Sequence, residues 1–505
     1  MDFIRKHRTH ILFILLISFL YFFTRILLLG NLPIFTDEAI YVRWAQIALN
    51  DSNWRFISLT DGKQPMFVWV AIVFMKFIQD PLIAGRLVSV ASGFFTIAGL
   101  WFLTLELFKN KKVAFISSLL YIFFPLAVVL DRMALYDSMV AAFFVWSLYL
   151  SILLLRTPKL EIAYTLGFVI GGGILTKTAN FFSIYLLPFF LLFFNFKDKK
   201  WKEKILRFAL LSAFSVAIAY GLYNVLRLSP LFQMISAKNA VFVYPISEWL
   251  QHPFTFFVGN LNGLWSWLYE YLKIPYIVLI IISLINFRDF AKEKLILIIY
   301  FLLPFIALAL FGKVIFPRFI FFMSIMLIPL AALGLNYLIE FLFKKYKTSK
   351  QYLTLALLIL FLVFPAFISI QFIYDPINSR IAKADNSQYI NSWAAGWGVK
   401  ESIDYFSKAA KKEKIYIATE GTFGLMPFAL EMYLVDNKNI TIKGYWPVDN
   451  ISKEVLDRAK KMPTYYVFYQ KEHDPIPPEF PLELIFQVEQ GNTGSFYRVY
   501  KVISN

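Results

Sequence analysis

Apolar stretches long enough to cross a membrane recur along the first three quarters of the chain, and short basic connectors separate them. Eleven segments read as spans: residues 11–29, 82–106, 113–130, 138–155, 160–176, 179–196, 206–227, 274–287, 295–311, 319–342 and 351–373. A run of about 18 or more residues with few charges is the signature of a transmembrane helix. The connectors are FIRKHR (3–8), FKNKK (108–112), RTPK (156–159), FKDKKWKEK (196–204), FRDFAKEK (287–294) and FKKYKTSK (343–350). Loops rich in Lys and Arg stay cytoplasmic, and this threading puts every connector on one side. The run PMFVWVAIVFMKFI (65–78) is shorter and Lys76 interrupts it. It reads as an interfacial segment, because counting it as a span would throw the later connectors onto alternate sides.

The pattern changes after residue 374. Helical stretches (KESIDYFSKAAKK, 400–412; LMPFALEMYLV, 425–435) mix with alternating runs such as KIYIAT (414–419), TYYVFYQ (464–470) and FYRVYKV (496–502), broken at Pro447, Pro463 and the proline-rich stretch Pro475–Pro478. The expected architecture is therefore an all-α polytopic membrane domain over residues 1–374 and an extracytoplasmic α/β domain over 375–505. The N-terminus is expected in the cytoplasm of a cell bounded by this membrane. Residues 11–29 read as an uncleaved anchor, since the run is long and no small-residue cleavage site follows.

Composition fits this reading and narrows it. The 505 residues are 59% hydrophobic and only 16% charged, where soluble domains carry roughly 25% charge. The net charge of +17 lies wholly before residue 375, because residues 375–505 hold 16 basic and 16 acidic side chains. A basic excess placed between apolar segments is the membrane-orientation pattern and argues against a nucleic-acid partner. The chain has no cysteine, which excludes disulfides and thiolate metal sites.

Sorting polar residues by side gathers acids and bases on the outer face. Asp37 and Glu38 open the first outer loop and Lys63–Gln64 close it. Asp131, Arg132 and Asp137 stand in the second outer turn, Lys177 between spans five and six, and Lys313 and Arg318 between spans nine and ten. Each has an ordinary explanation. Thr36 or Asp37 suits the cap of a helix reaching about Asn50, and Asp137 suits the cap of span four. Asp131 and Arg132 suit an interface, Lys177 can snorkel, and Lys313 and Arg318 suit ion pairs. Together they fit displacement of an anionic leaving group: a carboxylate deprotonates an acceptor hydroxyl and fixed cations stabilise a departing phosphate. No nucleotide-binding motif is present.

TDEAIYVRWA (36–45), KQPMFVW (63–69), RMALYDSMVAAFF (132–144) and GGGILTKTANFF (171–182) resemble motifs of the polytopic GT-C glycosyltransferases, in the branch of the protein O-mannosyltransferases and the lipid A aminoarabinose transferase. The resemblance runs over roughly residues 10–340. It implies Asp37 as catalytic base with Glu38 its companion, Asp137 as a second catalytic acid, and Lys177 engaging the first-loop Asp or the carrier phosphate. It also implies an inverting transfer of sugar from a polyprenyl-phosphate donor to a lipid, glycan or protein acceptor on the outer face. Arg132, Lys63, Gln64, Lys313 and Arg318 are added as phosphate or sugar contacts. Relatives that hold a metal use an acid before the first-loop Pro and an outer-loop His. Here Lys63–Gln64 precede Pro65, and His252 stands alone in the outer loops of the membrane domain, so no metal or other cofactor is expected to be required. The absence of a WWD-type motif points to a single-sugar donor. The alternative is a membrane transporter or lipid flippase, which favours paired repeats and ionisable groups at mid-span, and neither pattern is evident.

Overall fold

The computed structural model describes residues 2–347 and 349–503; Thr348, in the connector 343–350, lies outside that description, as do residues 1, 504 and 505. Helices dominate the first 374 residues. They include α1 (Asp2–Ile26), α2 (Thr36–Asn50), α3 (Met66–Met75), α4 (Pro81–Phe108), α5 (Lys111–Ile122), α6 (Pro125–Asp131), α7 (Asp137–Arg156) and α8 (Leu160–Thr176). Among the described residues, eight helices are long and apolar enough to cross a membrane, which makes this a multi-pass membrane protein. The other three expected spans take shorter forms. The segment at 113–130 is the pair α5 and α6, bent by 62°, where Pro125 cannot continue the helix before it. Residues 160–176 and 178–193 form two apolar helical pieces below span length, and 66–75 is a separate ten-residue helix. The span expected from 274 begins earlier: one helix runs Phe257–Ile285 and breaks at Lys273 (φ 51°), just before Pro275.

The chain divides into two compact bodies. One comprises Met1–Leu27, Phe56–Phe67 and Val88–Ile373; the other comprises Leu28–Arg55, Val68–Leu87 and Tyr374–Asn505. Inside the first, helices approach closely where small residues permit. A Cβ on Gly334, in the helix Leu327–Tyr346, would lie 1.8 Å from the carbonyl oxygen of Leu279 in Phe257–Ile285. That backbone contact requires glycine.

The second body holds a five-stranded sheet in the order β2-β1-β3-β5-β4. Its strands are β1 (Ile415–Glu420), β2 (Ile440–Tyr445), β3 (Thr464–Phe468), β4 (Leu482–Glu489) and β5 (Phe496–Val502). β1 pairs in parallel with β2 and β3, while β5 runs antiparallel to both β3 and β4. All residues of β1 and β3 are buried, as central strands covered on both faces should be. Tyr416, Ala418, Val455, Tyr466, Phe468 and Val502 share one core. The three alternating runs read as strands are β1, β3 and β5, and the two expected helices are Val399–Ala409 and Leu425–Leu434. β2 and β4 went unrecognised: Gly444 breaks the pattern of one, and a register shift between Leu484 and Phe486 breaks that of the other.

Candidate active site

In the first body the candidate centre forms at the C-terminal end of α8. Helix α8 stops at Thr176, and Lys177 takes an extended conformation there, its N–H closing onto Gly173. The Lys177 ammonium lies 2.9 Å from Asp137 Oδ1, at the first residue of α7, where the helix dipole favours an acid. Asp137 is almost fully buried, whereas the Lys177 side chain keeps 31% of its surface. Lys177 Nζ also stands 4.7 Å from the centre of the Phe319 ring, and Arg318 stacks against the Phe316 and Phe319 rings. Burial pushes the Lys177 ammonium below its ordinary value; Asp137 opposes the shift, and the positive charges of Arg318 and Lys63 add to it. Three cations from three turns thus act on one place.

The closing end of the first loop supports the same turn. Gln64 Nε2 donates to Thr178 Oγ1 at 2.7 Å, and the Thr178 hydroxyl donates to Asn239 Oδ1. Asp61 lies between Lys238 at 2.6 Å and Lys63 at 3.5 Å, so a carboxylate already faces Lys63. Lys313 contacts Glu248 at 3.4 Å and the Tyr244 ring, in a group where Tyr244 and Phe256 stack and His252 packs edge-on against both. Among the described residues, no three His, Asp or Glu side chains are grouped to hold a metal ion.

Two residues of the second outer turn are fully buried. Arg132 is fully buried and donates to the carbonyls of Thr24 and Arg25, binding acceptors at the C-terminal end of α1. In this structure it presents no surface of its own. Asp131 is equally buried. It accepts from Arg25 Nε at 3.1 Å, Ser138 Oγ at 2.7 Å and the Tyr121 hydroxyl, a set of donors that compensates a carboxylate taken out of water.

In the second body the Asp–Glu pair divides. The first-loop helix α2 begins at Thr36, so Asp37 and Glu38 both lie in its first turn, while Phe35 occupies the capping position expected for Thr36 or Asp37. Glu38 is wholly buried. One of its oxygens accepts from the Phe35 N–H at 3.0 Å, and both accept from Arg86, at 2.9 and 2.8 Å. Arg86 in turn donates to the carbonyls of Leu29, Leu32 and Pro33. Glu38 thus ties Arg86 to the loop entering α2. Asp37 is partly exposed. The sequence reading passed over Arg86 and Arg25, although arginines inside apolar spans announce buried acidic partners.

The model of the dolichyl-phosphate-mannose-protein mannosyltransferase family matches residues 62–223. ArnT from Cupriavidus metallidurans, solved bound to undecaprenyl phosphate, aligns with a TM-score of 0.57 over 99% of this chain and 99% of its own, at 14% identity. The oligosaccharyltransferase AglB from Archaeoglobus fulgidus, in complex with an inhibitory peptide and a dolichol-phosphate, aligns with a TM-score of 0.54 over 85% of this chain, at 13% identity. The chain spans 64% of the AglB chain. The fold is GT-C. The family match and the ArnT alignment bear out the resemblance to the GT-C branch that holds ArnT and the mannosyltransferases. A search of curated proteins found no match.

Proposed function

We propose that this GT-C chain is a membrane glycosyltransferase that moves one sugar from a polyprenyl-phosphate donor to a hydroxyl of a lipid, glycan or protein at the extracytoplasmic face, inverting the anomeric centre. The observation that carries the reading is the partly buried Lys177, paired with Asp137 and sharing its surroundings with Arg318 and Lys63. A cation cluster at the ends of apolar helices suits a phosphate whose tail stays in the membrane. That ArnT was solved with undecaprenyl phosphate supports a lipid-phosphate donor.

In the proposed reaction the bond between the anomeric carbon and the phosphate oxygen breaks, and its electron pair leaves on the polyprenyl phosphate. Lys177, held in place by Asp137, stabilises that charge, with Arg318 and Lys63 assisting. The acceptor oxygen bonds the anomeric carbon from the opposite side, and its proton passes to the Asp37 carboxylate. Asp37 holds this role by the family resemblance and by its place in the first turn of α2, with its neighbour Glu38 engaged by Arg86. The proposal needs no metal.

The test is transfer by purified protein in liposomes supplied with labelled polyprenyl-phosphate sugars and extracted outer-face acceptor lipids. The wild type should transfer, Asp37→Asn should not, and Lys177→Met should lose donor affinity. Equal activity of the wild type and Asp37→Asn would remove Asp37 as the base. Scrambling of labelled lipid across the bilayer without transfer would replace the enzyme reading with a flippase.

A further inference from the structure

The motifs NSWAAGWGVKES (391–402) and TEGTFGLMP (419–427) have no part in the reaction as proposed, yet both sit on the helix that carries Asp37. Within the second body, Phe35 pairs with Ala395 as an isolated antiparallel β-bridge. The Thr36 N–H and its hydroxyl both donate to the Ala394 carbonyl, at 3.1 Å each, and the Gly396 N–H donates to Ile34 at 2.8 Å. The Phe35 ring packs edge-on against Tyr389 at 4.9 Å. From the other motif, Gly424 (φ 122°) lies beside Thr36, where an added Cβ would make ordinary contact with its methyl group at 3.5 Å.

Two turns further along α2 the contact becomes ionic. Arg43 Nε lies 2.8 Å from Glu431 Oε2, with only 11% and 21% of the two side chains exposed. Gln46 Nε2 donates to the Met432 carbonyl at 2.9 Å, and Trp44 lies against Phe423. Three segments of the C-terminal region, 389–396, 423–424 and 431–432, thus hold residues 34–46 from the entry of α2 to its third turn.

We infer that the C-terminal region is a positioning element of the reaction, which fixes the first turn of α2 and with it the direction of the Asp37 carboxylate; this rests on Asp37 being the base. A general base acts only within hydrogen-bond reach of the proton it takes, and a displacement of about 1 Å can cost on the order of a hundredfold in rate. A free helix end frays within its first turn, and the bonds from Ala394, Gly396 and Glu431 oppose that fraying. Glu431 and Arg43 are the positioning residues chosen for substitution, since both halves of their contact are side chains and a charge swap can restore it.

The test uses the full-length protein in nanodiscs, as wild type, Arg43→Glu, Glu431→Arg and the double charge swap. Amide hydrogen exchange over residues 33–44 reports the clamp without reference to activity. Each single variant should speed exchange there by about tenfold and lower kcat with donor KM unchanged, while the swap restores both. Exchange equal to wild type in the folded single variants, or a swap no better than either, would overturn the inference. Faster exchange with kcat unchanged would show that the contact is structural only, and would overturn it too. Exchange that follows the clamp while no variant, nor the wild type, transfers any sugar would instead count against the proposed function and leave the clamp standing.

Discussion

Replacing Glu38 by Gln tests whether the two adjacent acids divide their roles as described. Glu38 is buried and receives two bonds from Arg86 and one from the Phe35 N–H. Glutamine keeps one acceptor oxygen and turns the other position into a donor, which then faces a guanidinium. One charge-assisted bond is lost, worth about 1.5–3 kcal/mol. The Arg86 charge also stays buried without its counter-charge, and breaking a buried pair from one side typically costs about 3–5 kcal/mol in all. Taking the lower value of about 3 kcal/mol, the second body should melt roughly 6–12 °C lower, given its size. Asp37→Asn, at a partly exposed first-turn position, forfeits the interaction of its charge with the helix dipole, about 0.3–1 kcal/mol. Thermal melts followed by tryptophan fluorescence, run beside the liposome transfer assay, separate the two. Glu38→Gln should lower the melting temperature yet transfer sugar at permissive temperature, and Asp37→Asn should melt like wild type and fail to transfer. If Glu38→Gln melts with the wild type, or Asp37→Asn falls as far as Glu38→Gln, the division of roles is wrong.

Other expectations follow from the same geometry. Because Lys177 is held below its ordinary 10.5 by burial and by Arg318 and Lys63, it loses its proton before an ordinary lysine does as pH rises. Donor affinity should therefore fall with rising pH on the acid side of that value, and Lys177→Arg should abolish the fall; a pH titration of donor binding that is identical in both proteins would refute this. Asp137→Asn should weaken donor binding by no more than about tenfold while destabilising α7 and α8, since it removes the counter-charge that orients Lys177; unchanged donor binding and melting in that variant would contradict the pairing. Arg132→Gln should lower the melting temperature with donor KM unchanged, and a raised KM at unchanged melting would return Arg132 to the substrate contacts. Gly334→Ala, whose Cβ would lie 1.8 Å from a backbone oxygen, should cost about 1–3 kcal/mol in the melt of the first body; an unshifted melt would show that the two helices can move apart.

Much of the fold was legible because lipid imposes length and hydropathy on any helix that crosses it. Where the reading slipped, a local device intervened. Pro125 divided one expected span into a bent pair, and the break at Lys273–Pro275 made a 29-residue helix look like a loop followed by a short span. The candidate site was legible in part. Lys177 meets Asp137, with Arg318 and Lys63 close enough to act on it, while Arg132 and Lys313 engage other groups. Spacing along the chain assigns a polar residue to an end of the bundle but not to a partner. Burial decides the partner, and the buried arginines carried that information: Arg25 and Arg86 inside apolar spans required acids, and Asp131 and Glu38 supply them.

The Asp–Glu pair shows why adjacent acids in a membrane protein need not share a task. Successive residues on a helix point about 100° apart, so two neighbours in one turn cannot serve the same direction. The start of α2 at Thr36 decides which faces where. Glu38 then stands two residues after Thr36, where its carboxylate can reach back to the Phe35 N–H and across to Arg86. With Glu38 on the side of Arg86, Asp37 falls on the partly exposed side of the turn, the position the proposed chemistry asks of its base.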